Sequence, residues 1–172
     1  MRAGAWVTIE VPTQAQDSIP MNAHKLLACL ATCAAAGAVA VPPDACTVVS
    51  IDEVNTIAAG AASKISPRKS GNPSECAFED SRRAAVLVLR LREVQYAAEN
   101  ELQYERENLE KIYRSKVKWI EGVGDRAFWL QANKTAMFRK GKTLVTITFA
   151  REKNATEVDT MQVARLVESR LK

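Results

Sequence analysis

Hydrophobic and polar positions change period several times along this chain, and each change marks an element. Residues 1–20 show little apolar periodicity and contain Pro12 and Pro20. Leu26 to Ala40 is instead an almost unbroken run of Leu, Ala, Val and Cys that ends at Val41-Pro42-Pro43. From Ser50 the spacing turns helical. Ser50-Ile51-Asp52-Glu53 has the form of a capping box, in which the Ser hydroxyl accepts from the Glu backbone N–H and the Glu carboxylate reaches back to that of Ser. Val54, Ile57, Ala58, Ala61 and Ala62 continue one apolar face and predict a helix to Ser63 or Lys64. Pro67 to Pro73 reads as a polar, turn-rich loop. Cys76 to Glu79 reads as a short strand and Asp80 to Arg83 as a turn. Ala85 to Arg92 then reads as an interior strand, apolar on both faces at first. Arg90 and Arg92 share a face with Val86 and Val88, so that face must reach solvent at its far end.

Between about Val94 and Lys116 helix formers take over, with Ala98, Leu102, Leu109, Ile112 and Tyr113 as a stripe interrupted at Glu105-Arg106. Glu107/Lys111 and Glu110/Arg114 are spaced as i,i+4 pairs, and the glutamates here read as a solvated helix face rather than a metal or acid–base site. Val117 to Ala150 organises the rest. It holds the turn Gly122-Val123-Gly124-Asp125, where two glycines permit unusual backbone angles and the Asp side chain suits nearby N–H groups. GVGD lacks the third Gly, the Lys and the following helix of a phosphate-binding loop, so Gly122, Gly124 and Asp125 are expected to form a structural turn. Phe128 and Trp129 read as core anchors. Two alternating runs around a Lys140-Gly141 loop predict a hairpin with Arg139 opposite Lys142 and Ala136 opposite Val145. That register places Ala136, Phe138, Val145, Ile147 and Phe149 on a core face and Leu144, Thr146 and Thr148 on a partly exposed one. Thr156 caps a last helix whose buried side is Val158, Met161, Ala164, Leu166, Val167 and Leu171. The expected class is α+β: an antiparallel sheet of about 4–5 strands with about three helices packed mainly on one face.

Composition narrows the chemistry. The 172 residues suffice for one domain with a real core, and their net charge of +4 comes from scattered basic residues. No basic stripe or nucleic-acid module is present, so no nucleic-acid partner is expected. Met21 to Ala40, with a short charged start, an apolar run and Ala38-Val39-Ala40 before the prolines, reads as a signal peptide. Residues 1–20 then read as an extension from a start codon placed too early, and 44–172 as a single α+β domain. Leu26-Leu27-Ala28-Cys29 and Leu30-Ala31-Thr32-Cys33 touch on the pattern of a lipid-acceptor site. The apolar run lies mostly after Cys29, however, and Cys33 has a poor preceding residue. Membrane contact is expected only if one of them is lipidated. Export removes the single histidine, His24, and with it Ser-His-Asp, Cys-His and His-ligated metal chemistry. It also leaves Cys46 and Cys76 as an even pair, expected as a disulfide; two reduced buried thiols are the alternative if the chain is not exported.

A signal peptide, a Cys shortly before a capped helix, a second Cys opening a strand, and Gly-x-Gly-Asp-x-Ala before a hairpin and C-terminal helix resemble a family of small envelope proteins. These are uncharacterised, often lipid-anchored proteins common in actinobacteria. The resemblance covers roughly Ala45 to Lys172 and rests on Cys46, Cys76, Gly122, Gly124, Asp125, Ala127 and Trp129. It implies helices against an antiparallel sheet, similar to the PsbP-like fold, and brings no catalytic residues. The chain departs from the pattern in lacking a well-placed lipid-acceptor Cys. The expected function is a non-enzymatic, exported (periplasmic or cell-envelope) binding module whose partner is an envelope protein or polymer. No catalytic residue, cofactor or metal is expected. The alternative is a carboxylate-based hydrolase acting on an envelope glycan.

Overall fold

In the computed structural model, which describes residues 42–58, 61–94, 98–150 and 155–171, the alternating segments pair into one antiparallel sheet. The extension 1–20 and signal segment 21–40, with His24, Cys29 and Cys33, lie outside the described residues. The strands are β1 (Lys64–Lys69), β2 (Ser74–Glu79), β3 (Ala85–Glu93), β4 (Lys118–Ile120), β5 (Arg126–Leu130), β6 (Thr135–Lys140) and β7 (Thr143–Phe149). Their order is β1-β2-β3-β7-β6-β5-β4, so β7 inserts beside β3 and joins two meanders into one seven-stranded sheet. The helices are α1 (Ala45–Val48), α2 (Ile51–Ile57), α3 (Ala98–Tyr113) and α4 (Glu157–Arg170).

The class is the expected one, but the sheet has seven strands, not 4–5. The two extra strands are its edges. The first helix stops at Ile57 because Asn55 turns its amide onto the backbone of Ala62, donating to its carbonyl and accepting its N–H, each at 2.8 Å. The residues read as helix end and loop therefore become β1, and Ser63 N–H donates to Glu79 O at 2.7 Å where the pairing begins. Pro67 is tolerated because β1 is an edge, and the register shifts just after it. β4 is only three residues long, below the length at which alternation can be read.

Three helices lie on one face and α3 on the other. On the first face Leu87, Leu89 and Leu91 of β3, Val145, Ile147 and Phe149 of β7, and Phe138 of β6 pack beneath α1, α2 and α4. α2 is the capping-box helix and α4 is capped by Thr156 and Asp159. On α4 the buried side is Thr160, Met161, Val163, Ala164 and Val167, whereas Val158 is 63% exposed. Val158 sits about half a turn round from Val163 and Ala164, which puts it opposite the sheet. The second face is covered in part by α3, through a smaller cluster of Val94, Leu102, Phe128, Met137 and Leu144.

The hairpin register also differs by one step. Lys140 pairs with Thr143, Phe138 with Val145 and Ala136 with Ile147, so the two-residue loop is Gly141-Lys142. The cause is tertiary: Asp125 accepts the Gly141 N–H at 2.9 Å, pinning the turn one residue further on. Each partner shifts by two positions, so every side chain keeps its expected face.

Candidate functional site

Pairing across the sheet sets the second face out in rows. The central row runs Glu75, Arg90, Thr146, Met137, Phe128 and Trp119, from β2 through β3, β7, β6 and β5 to β4. Beside it lie Ala77, Val88, Thr148, Thr135 and Leu130 in one row, and Arg92, Leu144, Arg139 and Arg126 in the other. α3 rests on this face through Leu102, which is buried, and Leu109 at its flank. A helix about 10 Å wide cannot cover seven strands spaced about 4.8 Å apart. Along its flank it leaves a groove of about 200 Å³ lined by Arg90, Arg92, Glu105, Leu109, Asn133, Thr135, Met137, Leu144, Thr146 and Thr148.

The polar groups of this groove are unequally engaged. Arg92 donates through Nη2 to Glu101 at 3.1 Å and to Glu105 at 2.9 Å, fastening α3 to β3. This accounts for the break in the apolar stripe of α3: Glu105 faces the sheet because its partner is there. The Thr135 and Thr148 hydroxyls share a hydrogen bond of 2.8 Å. Arg90 is exposed and has no side-chain partner among the described residues, and its cross-strand neighbour Glu75 makes no ion pair with it. Asn133 Oδ1, in the short turn between β5 and β6, is buried with no hydrogen-bond partner. Met137 and Leu144, both buried, supply the apolar floor.

At the far end of the central row the aromatic and charged groups engage one another. Trp119 meets Phe128 edge to face at 5.9 Å, and the Arg126 guanidinium stacks on its ring at 4.1 Å. Arg106, the other break in the α3 stripe, lies 5.8 Å from the same ring and pairs with Glu107 and Glu110. The i,i+4 pairs expected at Glu107/Lys111 and Glu110/Arg114 are replaced by these contacts. Arg114 leaves the helix with φ 49, and Glu110 instead accepts the Val117 N–H at 3.0 Å, which holds its carboxyl below the usual range.

The residues singled out from the sequence lie elsewhere. Cys46 of α1 and Cys76 of β2 form a disulfide with Cα atoms 5.1 Å apart, on the first face. Gly122, Gly124 and Asp125 sit between β4 and β5, against the β6–β7 hairpin. Asp125 N–H donates to Arg139 O at 2.7 Å, and Glu168 of α4 is held below its ordinary pKa chiefly by the Gly124 N–H, with Lys140 at 3.1 Å adding to it. None of the five lines the groove. The groove's own residues left a partial trace in the sequence: the switch from Val88 to Arg90 and Arg92, and the alternate threonines of β7. Glu105 showed only as a break in the stripe, because its partner depends on where α3 lands.

No family model matches this chain, and no curated protein matches it. Among the described residues no helix is long and apolar enough to cross a membrane.

Proposed function

We propose that this chain is an exported, non-enzymatic binding module of the cell envelope, and that it engages its partner through the groove beside α3. The observation that carries this reading is the exposed Arg90, without a side-chain partner among the described residues, over an apolar floor at Met137 and Leu144. A partnerless cation with apolar side chains beside it is what a binding surface looks like before its ligand arrives. The disulfide supports export, since such bonds persist in oxidising compartments. An envelope location also follows the family resemblance carried by Cys46, Cys76 and the Gly122 to Asp125 turn.

The hydrolase alternative has less behind it. A carboxylate general acid is held neutral by a raised pKa. The shifted carboxyls among the described residues, Glu53, Glu110 and Glu168, are all displaced downward, and Glu105, the acid that lines the groove, is committed to Arg92. The test is capture from an envelope fraction by the oxidised wild-type chain and by Thr146→Trp, which fills the groove. A partner retained by wild type and lost by a Thr146→Trp chain of unchanged melting temperature supports the reading. Equal capture by both, or none by either, overturns it.

A further inference from the structure

We infer that the groove takes the carboxyl-terminal end of a peptide whose last side chain is apolar; this rests on the binding-module reading above. The argument begins with charge. Arg92 is neutralised by Glu101 and Glu105, so Arg90 is the cation the groove has left to offer. A guanidinium presents two parallel N–H groups that match a carboxylate, the planar pairing for which Arg is best suited. The Thr146 side chain stands on the same face in the next strand and adds a hydroxyl. The groove therefore offers donors at Arg90 and Thr146 beside an apolar floor of Leu109, Met137 and Leu144. That arrangement matches a terminal residue, which carries a carboxylate and a side chain on adjoining atoms.

Size selects a chain end over a free small molecule. Sites that hold whole small ligands enclose roughly 300–1,000 Å³. This groove, at about 200 Å³ and open along α3, holds one residue and lets the remainder of a chain leave. Glu75 completes the design. Facing Arg90 across β2–β3 without an ion pair to it, Glu75 is a like charge that an incoming carboxylate meets.

The probe is N-acetyl-Ala-Ala-Leu as the free acid and as the carboxamide, titrated by two-dimensional NMR against the oxidised full chain. The acid should shift the Thr146 and Thr148 amides with a Kd on the order of 0.1–1 mM. Charge-assisted hydrogen bonds of this kind set the contrasts: the amide and Arg90→Gln should each weaken binding about tenfold. Glu75→Gln should tighten it by about threefold, the effect of removing one unit of like charge at partly screened range. Both side chains reach solvent, so both variants keep the fold, and their undisturbed spectra verify it. Equal titration by acid and amide, an Arg90→Gln chain with wild-type affinity, or no shift up to about 10 mM overturns the inference. If the peptides fail while capture of an envelope partner still depends on Thr146, this inference falls and the binding-module reading stands.

Discussion

Gly124 shows how a residue can be legible by type and opaque by role. Its sequence context already marks it as conformationally permissive, and it adopts φ +58. What the sequence does not contain is the Arg139 carbonyl, which lies 2.2 Å from where a Cβ would stand, because the β6–β7 hairpin is packed directly on the turn. Gly122, at φ +73, has nothing within 4 Å of that position. Gly124→Ala should therefore lose about 3 kcal/mol from strain plus overlap, and Gly122→Ala about 1 kcal/mol from strain alone, both read by urea unfolding. Glu53 makes the same point for charge. Its place in the capping box is readable. Its partner is not, because Arg170 arrives from the other end of the domain, donating to both Glu53 and Val48 O. That guanidinium, then the Ser50 N–H, holds Glu53 at about 2, against an ordinary value of 4.5. A carboxyl lowered on folding stabilises the fold only while ionised. The contribution is complete above pH 4.5 and is lost as pH falls toward 2. Wild type should melt above Glu53→Gln near neutral pH, and the two melting temperatures should converge as the solution approaches the folded-state value.

Elements with long, regular periodicity were readable from the sequence, whereas those set by a neighbour were not. The capped helices α2 and α4, the long strand β3 and the faces of the β6–β7 hairpin all follow from spacing. The stop of α2 at Ile57, the formation of β1 and the loop position at Gly141 each depend on a contact that reaches beyond the element: the Asn55 amide with the Ala62 backbone, the Ser63 N–H with the Glu79 carbonyl, and the Gly141 N–H with Asp125. The placement of α3 on the second face combines the two: Leu102 and Leu109 of its own stripe pack on the sheet, and Arg92 reaches Glu101 and Glu105 from β3. Its cluster is also the smaller of the two. Leu102→Ala should cost about 2–5 kcal/mol of packing, felt first as faster amide exchange across Ala98–Tyr113 while α4 stays protected. Equal acceleration in both helices would mean that the two faces unfold as one. The disulfide acts on the opposite face. It closes a loop of sequence separation 30 that contains α2 and β1, so Cys46→Ala with Cys76→Ala should lower stability by about 3–4 kcal/mol in chemical denaturation.

For the molecule as a whole, seven strands leave an open sheet with two edges, and each edge is protected. β1 carries Lys64, Pro67, Arg68 and Lys69, and β4 ends after three residues with Lys118 tied to Glu157 at 2.8 Å. Such edges resist pairing with a second sheet, in keeping with the groove proposed above as the surface for a partner. Export is testable on the intact chain: protein recovered from its host should begin near Val41, with cysteines that react with alkylating reagent only after reduction. A mass that includes residues 1–40, with free thiols, would remove the basis for an envelope role. Finally, Ala45 and Leu171 both belong to the first-face core, and Arg170 bonds the end of α1. The chain thus enters and leaves the described fold on the side of the sheet away from the groove. A tether, tag or fusion at either end would hold the domain by its back, with the Arg90 side turned outward and its approach unobstructed.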